Sequence, residues 1–539
     1  MSAASATHSF PQDPLLAKLL DAAKAVPESR IIIHDLYGLQ KTYPELLGDI
    51  LHTRQQLQAL LPLKCFNEKG LLRDEFVYQA ACTKTGYEFA VAFFAIRALG
   101  GACVPMDAAA ALARRADTLN KANATCLLVD QGSVADVENT IDHVRQSSGR
   151  SLSVVAISFS HSGVSPQSIE IAKNTELDPN GPGFVVFTSG TTGYSKGVVL
   201  RRYCFAAGPL EKGASAVVNY NASHWLGGTK NIIDGLLTCK TVFAINTPAS
   251  SADVLDKFKN YHITHFVFNP ALLRGIKQLL LGEGGEFTKE KKAEAMKYFG
   301  GITYFLSIGG LVDQDTVEFW TEVLGCPFQN RYGSTELGGL PTLGISKLKG
   351  SVGKIAPGVE VKLSEGTHGR LFIKSPDRFL CYLGDEEKTK AAFDEGGFYK
   401  TGDIAELQQD ELIFHGRERD DCTVPLCSVF FPETNTSADV VHDESTISAV
   451  EVERALMALG YFEEATVVAL PVSESVQLCG AVVRPKPAHR AEVSIGRVRS
   501  DLKGRLDETK RPVALRILDW FTPETPPPNV QCEGISAAA

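Results

Sequence analysis

The sequence of 539 residues has no long apolar run. Runs such as FAVAFFAI, which begins at Phe89, stop far short of the roughly 18 residues that a membrane helix needs. No block of Lys or Arg is present either, and 63 acidic residues against 54 basic ones leave a net charge of −9. An acidic balance without basic patches argues against nucleic-acid binding. We therefore expect neither membrane insertion nor a nucleic-acid partner.

The cysteines and the chain ends carry no targeting or zinc-binding pattern. Twelve cysteines are scattered without a CxxC pair, which is typical of reduced, mostly buried thiols. The start, MSAASATHSFPQDP, has no charged region followed by an apolar one, and the end, Ala537–Ala539, is not a peroxisomal tripeptide. These features predict a cytoplasmic protein.

The chain changes character twice along its length. From about residue 75 to 360, short apolar runs such as ATCLLVD, GFVVFTSG and HFVFNP alternate with helical stretches such as EFAVAFFAIRAL. This alternation predicts layered α/β structure. From about 350 to 415 helices become scarce and strands predict a small β unit. We expect an α/β fold with a large N-terminal body over 1–416 and a small, mobile α+β C-terminal domain over 417–539.

One segment predicts a phosphate-binding loop. An apolar strand over FVVF runs into Thr188-Ser189-Gly190-Thr191-Thr192-Gly193, followed by Lys196 and a second apolar run. Two glycines let the backbone turn sharply, and several hydroxyls and a lysine can bind an anion. Both flanks are predicted strands, so this is not the strand-to-helix Walker loop. The alternative is an ordinary Gly/Ser/Thr hairpin.

Two later motifs point to the rest of a nucleotide. Asn330–Glu336 (NRYGSTE) places an aromatic ring, hydroxyls and a carboxylate in one loop, which suits stacking on adenine and holding a metal. Tyr399–Asp403 (YKTGD) places a carboxylate after a Thr-Gly turn, where it can accept two ribose hydroxyls.

Together these motifs resemble those of the adenylate-forming superfamily of acyl-CoA synthetases, carrier-loading adenylation domains and luciferases. The three occur in the family's order and approximate spacing, and the resemblance covers roughly residues 25 to 420 well. GGACVPMD at Gly100–Asp107 resembles another family signature, and SIGG at Ser307–Gly310 resembles the pocket loop. The resemblance implies activation of a small carboxylic acid by ATP with Mg²⁺, then transfer to CoA or to the pantetheine of an acyl carrier protein.

The resemblance also implies roles for individual residues. The implied ligands of the phosphates and of pyrophosphate are Thr188, Ser189, Gly190, Thr191, Thr192, Gly193 and Lys196. The implied ligands of the nucleotide and metal are Thr335 at the α-phosphate, Glu336 at Mg²⁺, Tyr332 on adenine, and Asp403 and Arg417 at the ribose. The residues implied near the acid are His224, Ser307, Gly309 and Arg331, and the implied hinge is Arg419. Lys196, Thr335, Glu336 and His224 are the predicted catalytic residues.

Each assignment has a plainer alternative. Tyr332 alone could be core packing, Glu336 a surface charge and Asp403 a turn former. Arg331 stands where malonyl-CoA synthetase-like members place an arginine against a second carboxylate, and its fork of donors suits that group. The hypothesis is an acid with a second anionic group, which the polar pair Lys230-Asn231 also favours. The alternative is an outward arginine paired with a surface acid.

The C-terminal part departs from the family pattern. Residues 416–420 (GRERD) resemble the hinge, but the atypical insert 423–446 then replaces the usual glycine loop, and a retained intron would explain it. Asn529 stands where the family has a lysine that bridges the acyl carboxylate and the α-phosphate, and Lys503 and Lys510 are possible substitutes. Two alternatives to an acid–thiol ligase therefore stay open: a catalytically impaired nucleotide-binding relative, or an amide- or ester-forming ligase.

Overall fold

The computed structural model describes residues 8–35, 38–159, 162–188, 196–205, 208–211, 213–245, 249–282, 285–345, 348–417, 422–425, 444–447, 449–471 and 477–517. Two compact units divide the chain: Met1–Glu360 with Ile373–Tyr399, and Val361–Phe372 with Lys400–Ala539. The predicted domain boundary at 416/417 stays a prediction. Within the described ranges, no helix is both long and apolar enough to cross a membrane.

The strands are given in chain order. They are β1 (His8–Gln12), β2 (Ile31–His34), β3 (Gln40–Thr42), β4 (Tyr78–Cys82), β5 (Ala102–Pro105), β6 (Cys126–Asp130), β7 (Ser153–Ile157), β8 (Ile169–Glu176), β9 (Pro182–Thr188), β10 (Lys196–Arg201), β11 (Ala216–Asn219), β12 (Thr241–Ala244), β13 (His265–Phe268), β14 (Tyr304–Ile308), β15 (Asn330–Arg331), β16 (Thr342–Leu343), β17 (Ser351–Ile355), β18 (Glu360–Glu365), β19 (His368–Lys374), β20 (Cys381–Tyr382), β21 (Tyr399–Gln408), β22 (Glu411–Arg417), β23 (Cys422–Pro425), β24 (Glu444–Ile447), β25 (Phe462–Pro471), β26 (Gln477–Pro485) and β27 (Ala514–Ile517).

The α-helices follow the same order. They are α1 (Pro14–Ala25), α2 (Tyr43–Leu60), α3 (Tyr87–Arg97), α4 (Leu112–Lys121), α5 (Val134–Ser148), α6 (Leu226–Leu237), α7 (Ser251–Asn260), α8 (Pro270–Leu280), α9 (Lys289–Phe299), α10 (Gln314–Val323), α11 (Glu386–Ala391), α12 (Ala449–Met457) and α13 (Ile495–Asp501). The predicted alternation of strands and helices is confirmed, and the fold class is α/β.

The first large sheet has the strand order β20-β10-β9-β5-β4-β6-β7. Its strands β4, β5, β6 and β7 run parallel, whereas β9 and β10 form an antiparallel hairpin. Every residue of helix α3 is buried, which its nearly all-apolar sequence predicts. Because parallel strands are covered on both faces, they appear in the sequence as continuous apolar runs such as CLLV.

The second large sheet has the order β15-β14-β13-β11-β12-β2-β3, and all but β3 run parallel. One face carries an aromatic core that includes Val218, Phe266, Phe268, Phe305 and Trp320. The carboxyl ends of β11, β13, β14 and β15 meet at one edge. In open parallel sheets, ligands bind at that edge.

A buried ion pair fixes the first helix to the core of the same unit. Asp13 caps α1 by accepting from the backbone N–H groups of Leu15 (2.9 Å) and Leu16 (3.1 Å). The same oxygen accepts from Arg97 Nε at 2.8 Å, and both side chains are 1% exposed or less. Arg202 Nη1 approaches the other carboxylate oxygen at 3.9 Å. The buried charges of Asp13 and Arg97 therefore neutralise one another.

The second unit contains the hairpin of β21 and β22 and a smaller sheet of β25, β26 and β27. Strands β25 and β26 are antiparallel, β27 runs parallel to β26, and α12 and α13 supply core residues such as Val452 and Val498. These helices and strands confirm the predicted α+β class of the C-terminal part. The two ends of the aperiodic insert pair as β23 and β24, with Cys422 opposite Ile447. Four-residue strands are too short to give a readable period, and residues 426–443 lie outside the described residues.

Candidate active site

A hairpin presents the two ends of the predicted phosphate loop. Strand β9 ends at Thr188 and β10 begins at Lys196, and the two residues are paired across the ladder. The strands on both sides are apolar and buried, which anchors the hairpin in the first large sheet. The loop itself, with the predicted ligands Ser189, Gly190, Thr191, Thr192 and Gly193, lies outside the described residues. The strand–loop–strand geometry at its ends agrees with the prediction.

Tyr382 brings the lysine and the predicted metal ligand to one place. It lies on β20, which pairs with β10, and Lys196 Nζ is 5.0 Å from the centre of its ring. The Tyr382 hydroxyl donates to Glu336 Oε1 at 3.1 Å. Two motifs that are about 140 residues apart in the sequence therefore share one side chain.

The loop that carries Glu336 is held tightly. Thr335–Leu337 form a single 3₁₀ turn, and the backbone N–H of Phe379 donates to the Glu336 carbonyl at 2.8 Å. Gly338 follows with a left-handed φ of 64°, and a Cβ there would lie 2.1 Å from the Asp377 carbonyl oxygen. Only glycine fits at that position. The turn therefore has little freedom, which suits a residue that must hold a ligand.

Tyr399 closes the same cluster. Burial raises the pKa of its phenol, and the nearby charge of Glu336 raises that pKa further. Its ring packs on Phe379 with the centres 5.6 Å apart, and Phe379 also packs on Tyr382 at 4.8 Å. Glu336 thus stands against aromatic rings with one hydroxyl donor oriented towards it.

The donor set around Glu336 fits a metal that is shared with phosphates. In the parts of the chain that the structure describes, no three His, Cys, Asp or Glu side chains come together as a metal site. Mg²⁺ at nucleotide sites is bound by one or two carboxylates together with phosphate oxygens and water. A lone carboxylate beside a lysine suits that arrangement, whereas a protein-only cage would need more ligands.

Tyr332 and Arg331 follow one another where the short strand β15 ends. Tyr332 is 7% exposed, and its backbone N–H donates to Thr342 Oγ1 at 2.9 Å. Arg331 Nη2 donates to Gln329 Oε1 at 2.5 Å, and Arg331 Nε is buried without a hydrogen-bond partner. Among the described residues, no carboxylate lies within ion-pair distance of Arg331. The outward ion pair of the alternative interpretation is therefore not what the structure shows.

The other residues predicted near the acid lie in the same unit. His224 precedes α6, and burial lowers its pKa, with Arg114 acting in the same direction and Asp107 opposing both. Ser307 is the penultimate residue of β14, is fully buried on the aromatic face of the sheet, and its hydroxyl has no hydrogen-bond partner among the described residues. Gly309, two residues later, has a left-handed φ of 92°. A neutral imidazole and an unpartnered hydroxyl are groups that can accept or donate a hydrogen bond.

The predicted ribose ligands form an ion pair within the second unit. Asp403 and Arg417 are opposite one another on β21 and β22, with Arg417 Nε 3.0 Å from Asp403 Oδ1. Asp403 is 2% exposed, and its backbone N–H donates to Thr401 Oγ1 at 3.0 Å. Arg417, which we predicted to support the ribose, is thus paired with the other predicted ribose ligand, and the two roles stay predictions. Arg419, the predicted hinge, lies outside the described residues.

Lys510, one of the two proposed substitutes for a lysine at position 529, already forms an ion pair. Lys510 Nζ is 2.9 Å from Glu451 Oε2 in its own unit. Lys503 is exposed, and Asn529 lies outside the described residues.

Two residues of this site were not predicted. Tyr382 lies in the stretch CYLGDEEKTKAAFDEGGFYKTGD and had no predicted role, and Tyr399 was only a flank of the TGD turn.

Comparison with known proteins gives a consistent result. A family model described as AMP-binding enzyme matches residues 66–383. The acyl-CoA ligase oryP of Aspergillus oryzae is 29% identical over 94% of this chain and 89% of its own. The mitochondrial malonate–CoA ligase ACSF3 of Homo sapiens is 23% identical over 85% of this chain and 82% of its own. ATP-bound MatB from Rhodopseudomonas palustris has a similar fold, with a TM-score of 0.70, 20% identity, and coverage of 94% of this chain and 95% of its own.

Proposed function

Because the chain belongs to the AMP-binding enzyme family, we propose that it is an AMP-forming acid–thiol ligase. It activates a carboxylic acid with ATP as an acyl-adenylate and transfers the acyl group to a thiol. The thiol is that of CoA, or of pantetheine on a carrier protein. The acid is small and carries a second anionic group. The cytoplasmic location stays a prediction from the sequence.

The observation that carries this proposal is the contact of Tyr382 with both Lys196 and Glu336. It places a cation from the phosphate hairpin beside the carboxylate of the YGSTE loop. Charge neutralisation on the phosphates and a metal ligand are what nucleophilic attack at the α-phosphorus needs. A buried aromatic residue that holds both groups also orients them before the substrate arrives.

Each of these residues has a role in one of the two chemical steps, adenylation of the acid and transfer of the acyl group to the thiol. An oxygen of the acid attacks the α-phosphorus, the bond to the leaving pyrophosphate breaks, and Lys196 with the hydroxyls of its loop stabilises the charge on pyrophosphate. Glu336 would hold Mg²⁺, and the metal would supply further neutralisation of the phosphate charge. Thr335 donates to the α-phosphate, and Asp403 accepts from both ribose hydroxyls. The thiolate then attacks the acyl carbon, and AMP leaves.

The relatives support the class of substrate. The names of oryP and ACSF3 describe an acyl-CoA ligase and a malonate–CoA ligase. Arg331 has a buried Nε with no partner and no carboxylate nearby among the described residues. A guanidinium donor left unpaired in the protein is suited to a carboxylate supplied by the substrate. We therefore assign Arg331 to the second anionic group of the acid, with His224 and Gly309 near the reacting carboxylate, whereas Ser307 is buried on the opposite face of the sheet.

Asn529 favours a second candidate, an enzyme impaired in adenylation. An asparagine cannot supply the positive charge of the lysine that the family has at that position. Lys510 would have to leave Glu451 to replace it.

Acid-dependent exchange between ATP and labelled pyrophosphate tests the proposal. Purified full-length protein with Mg²⁺ and a panel of acids should show exchange that depends on the acid, and Glu336→Gln should abolish it. Glu290→Gln, an exposed carboxylate on helix α9, is the matched control and should leave exchange unchanged.

Absence of exchange with every acid, together with measurable ATP binding, would favour the impaired relative. Where exchange occurs, adding CoA, pantetheine or amines identifies the acceptor. Acceleration by amines alone would favour an amide-forming ligase.

A further inference from the structure

Helix α6 packs against the second large sheet, and Asn231 lies on the side of the helix that faces the sheet. Gly235 of α6 faces the sheet, because a Cβ there would lie 2.6 Å from Val242 Cγ2 and 3.3 Å from Val217 Cγ1. Asn231 is four residues earlier, on the same face of the helix. At the start of the helix, a Cβ on Gly228 would lie 2.6 Å from the Asn221 carbonyl oxygen. Asn231 therefore lies between Val217 and Asn221, at the level of the end of β11.

Asn219, at the end of strand β11, lies at the same height along the sheet as Asn231. It is two residues after Val217 on β11, and side chains two apart in a strand point to the same face. Asn219 is fully buried and Asn231 is 9% exposed. Asn219 Nδ2 donates to the Asn221 carbonyl at 3.1 Å, whereas Asn219 Oδ1 and Asn231 Nδ2 lack a hydrogen-bond partner among the described residues. Buried amide groups are normally satisfied, so an unpaired donor and an unpaired acceptor at one place indicate a ligand-binding surface.

Strand register places Arg331 on this face too. Val217 pairs with His265, Val267 with Leu306, and Ile308 with Arg331. Because paired residues, and residues two apart in a strand, point to the same face, Arg331 and Val217 are on the same face of the sheet. Three strand spacings, about 14 Å, separate the column of β11 from that of β15. Arg331 and Asn219 therefore lie at two edges of the same sheet face.

The floor between these walls is partly open. On the opposite, aromatic face, Phe266 and Phe268 are fully buried. On the face towards α6, Val267 and Ile308 are only half-buried. Apolar residues of a central sheet stay accessible where no side chain covers them. Leu306, between them on the same face, is 4% exposed. The α6-facing side thus has an apolar floor that is accessible only in part, with polar groups at its edges, and small-molecule sites commonly have this form.

We propose that Asn231 is a specificity-determining residue whose amide donates a hydrogen bond to an acceptor group on the acid, distal to the reacting carboxylate. Asn219 completes the wall by accepting from a donor on the same molecule or from a bound water. This inference rests on the proposed function and narrows it: the acid is short and polar at its far end. An alkyl or unsubstituted aryl end would leave Asn231 Nδ2 and Asn219 Oδ1 without a partner.

The experiment compares sets of three acids that differ only at the far end. Each set contains a dicarboxylic acid, the corresponding hydroxy acid and the plain monocarboxylic acid, with straight chains of three to six carbons and with a benzoate core. The readout is kcat/KM in the pyrophosphate exchange assay with full-length protein. We expect the parent to favour acids with a polar end over the plain acid by at least tenfold.

Asn231→Leu keeps the volume of the side chain and removes the donor. We expect a ten- to hundredfold fall in kcat/KM for the polar acids and little change for the plain acid. Asn231→Asp replaces the donor with a charge, so it should lower activity most with the dicarboxylic acid and least with the hydroxy acid. Ile232→Leu, the adjacent buried residue of the same helix, is the matched control and should leave the preference unchanged.

Two results would overturn the inference while the proposed function stands. One is exchange that the parent supports best with the plain acids. The other is an equal fall with all three acids in Asn231→Leu, which would show a purely structural role. If no acid supports exchange, the proposed function itself fails and the inference fails with it.

Discussion

Replacing Tyr382 with phenylalanine tests whether its hydroxyl orients Glu336. The change keeps the ring beneath Lys196 and removes the donor that lies 3.1 Å from Glu336 Oε1. A hydrogen bond to a charged group contributes about 1.5–3 kcal/mol, or roughly ten- to hundredfold in an equilibrium constant. Glu336 is half-buried, so water can partly replace the hydroxyl. We therefore expect the lower end, about a tenfold fall.

The assay is pyrophosphate exchange with the best acid, measured as kcat/KM for ATP over a range of Mg²⁺ concentrations. If Tyr382 orients the metal ligand, the variant should need more Mg²⁺ to reach half of its maximal rate, while its Tm changes little. Tyr203→Phe is the matched control, because its hydroxyl donates at 2.5 Å to the carbonyl of Pro376 and not to Glu336. A loss below about twofold, or one equal to that of Tyr203→Phe, would refute the reasoning.

Three further predictions concern stability and specificity. Asp13→Ala removes a helix cap and leaves Arg97 buried without its partner, so urea denaturation should show a loss of about 3–5 kcal/mol, against little change for the exposed Asp21→Ala on the same helix. Burial, with neighbouring carboxylates adding to it, raises the pKa of Glu88 from 4.5 to about 7. The native state therefore holds this proton longer than the unfolded state, so its stabilising contribution is present below pH 4.5 and is lost as the pH rises to 7. Relative to Glu88→Gln, the parent should lose about 3 kcal/mol over that window, and parallel pH profiles of the two proteins would contradict this. Arg331→Met should lower kcat/KM for the preferred dicarboxylic acid about a hundredfold with little effect on monocarboxylic acids, as measured by exchange, and an equal loss with both would count against its role.

Much of the fold could be predicted because local patterns encode it. Buried parallel strands appear as short apolar runs, so β6, β9 and β13 were predicted as strands from their sequences. The pairing of Thr188 with Lys196 agrees with the predicted strands on both sides of the phosphate loop. The short strands β23 and β24 were not predicted, because pairing partners some twenty residues apart leave no period in either segment.

The site was predicted in part. Glu336, Lys196, Asp403 and Arg331 were identified from their motifs, and their roles stay proposals. Tyr382 was not, because its importance depends on two contacts with residues distant in sequence.

By itself the sequence determined which chemical groups are present and in what order: the hydroxyl-rich loop with its lysine, the YGSTE and TGD motifs, and an asparagine at 529 in place of a lysine. It also determined the α/β class, because strand and helix periods are local properties. Tertiary structure alone decided which of these groups meet. Tyr382 joins Lys196 to Glu336, Asn219 and Arg331 share one face of a sheet, and Asn231 lies on the helix that packs against that face. Strand register and helix packing set those distances, and both depend on contacts between residues that are far apart in the chain.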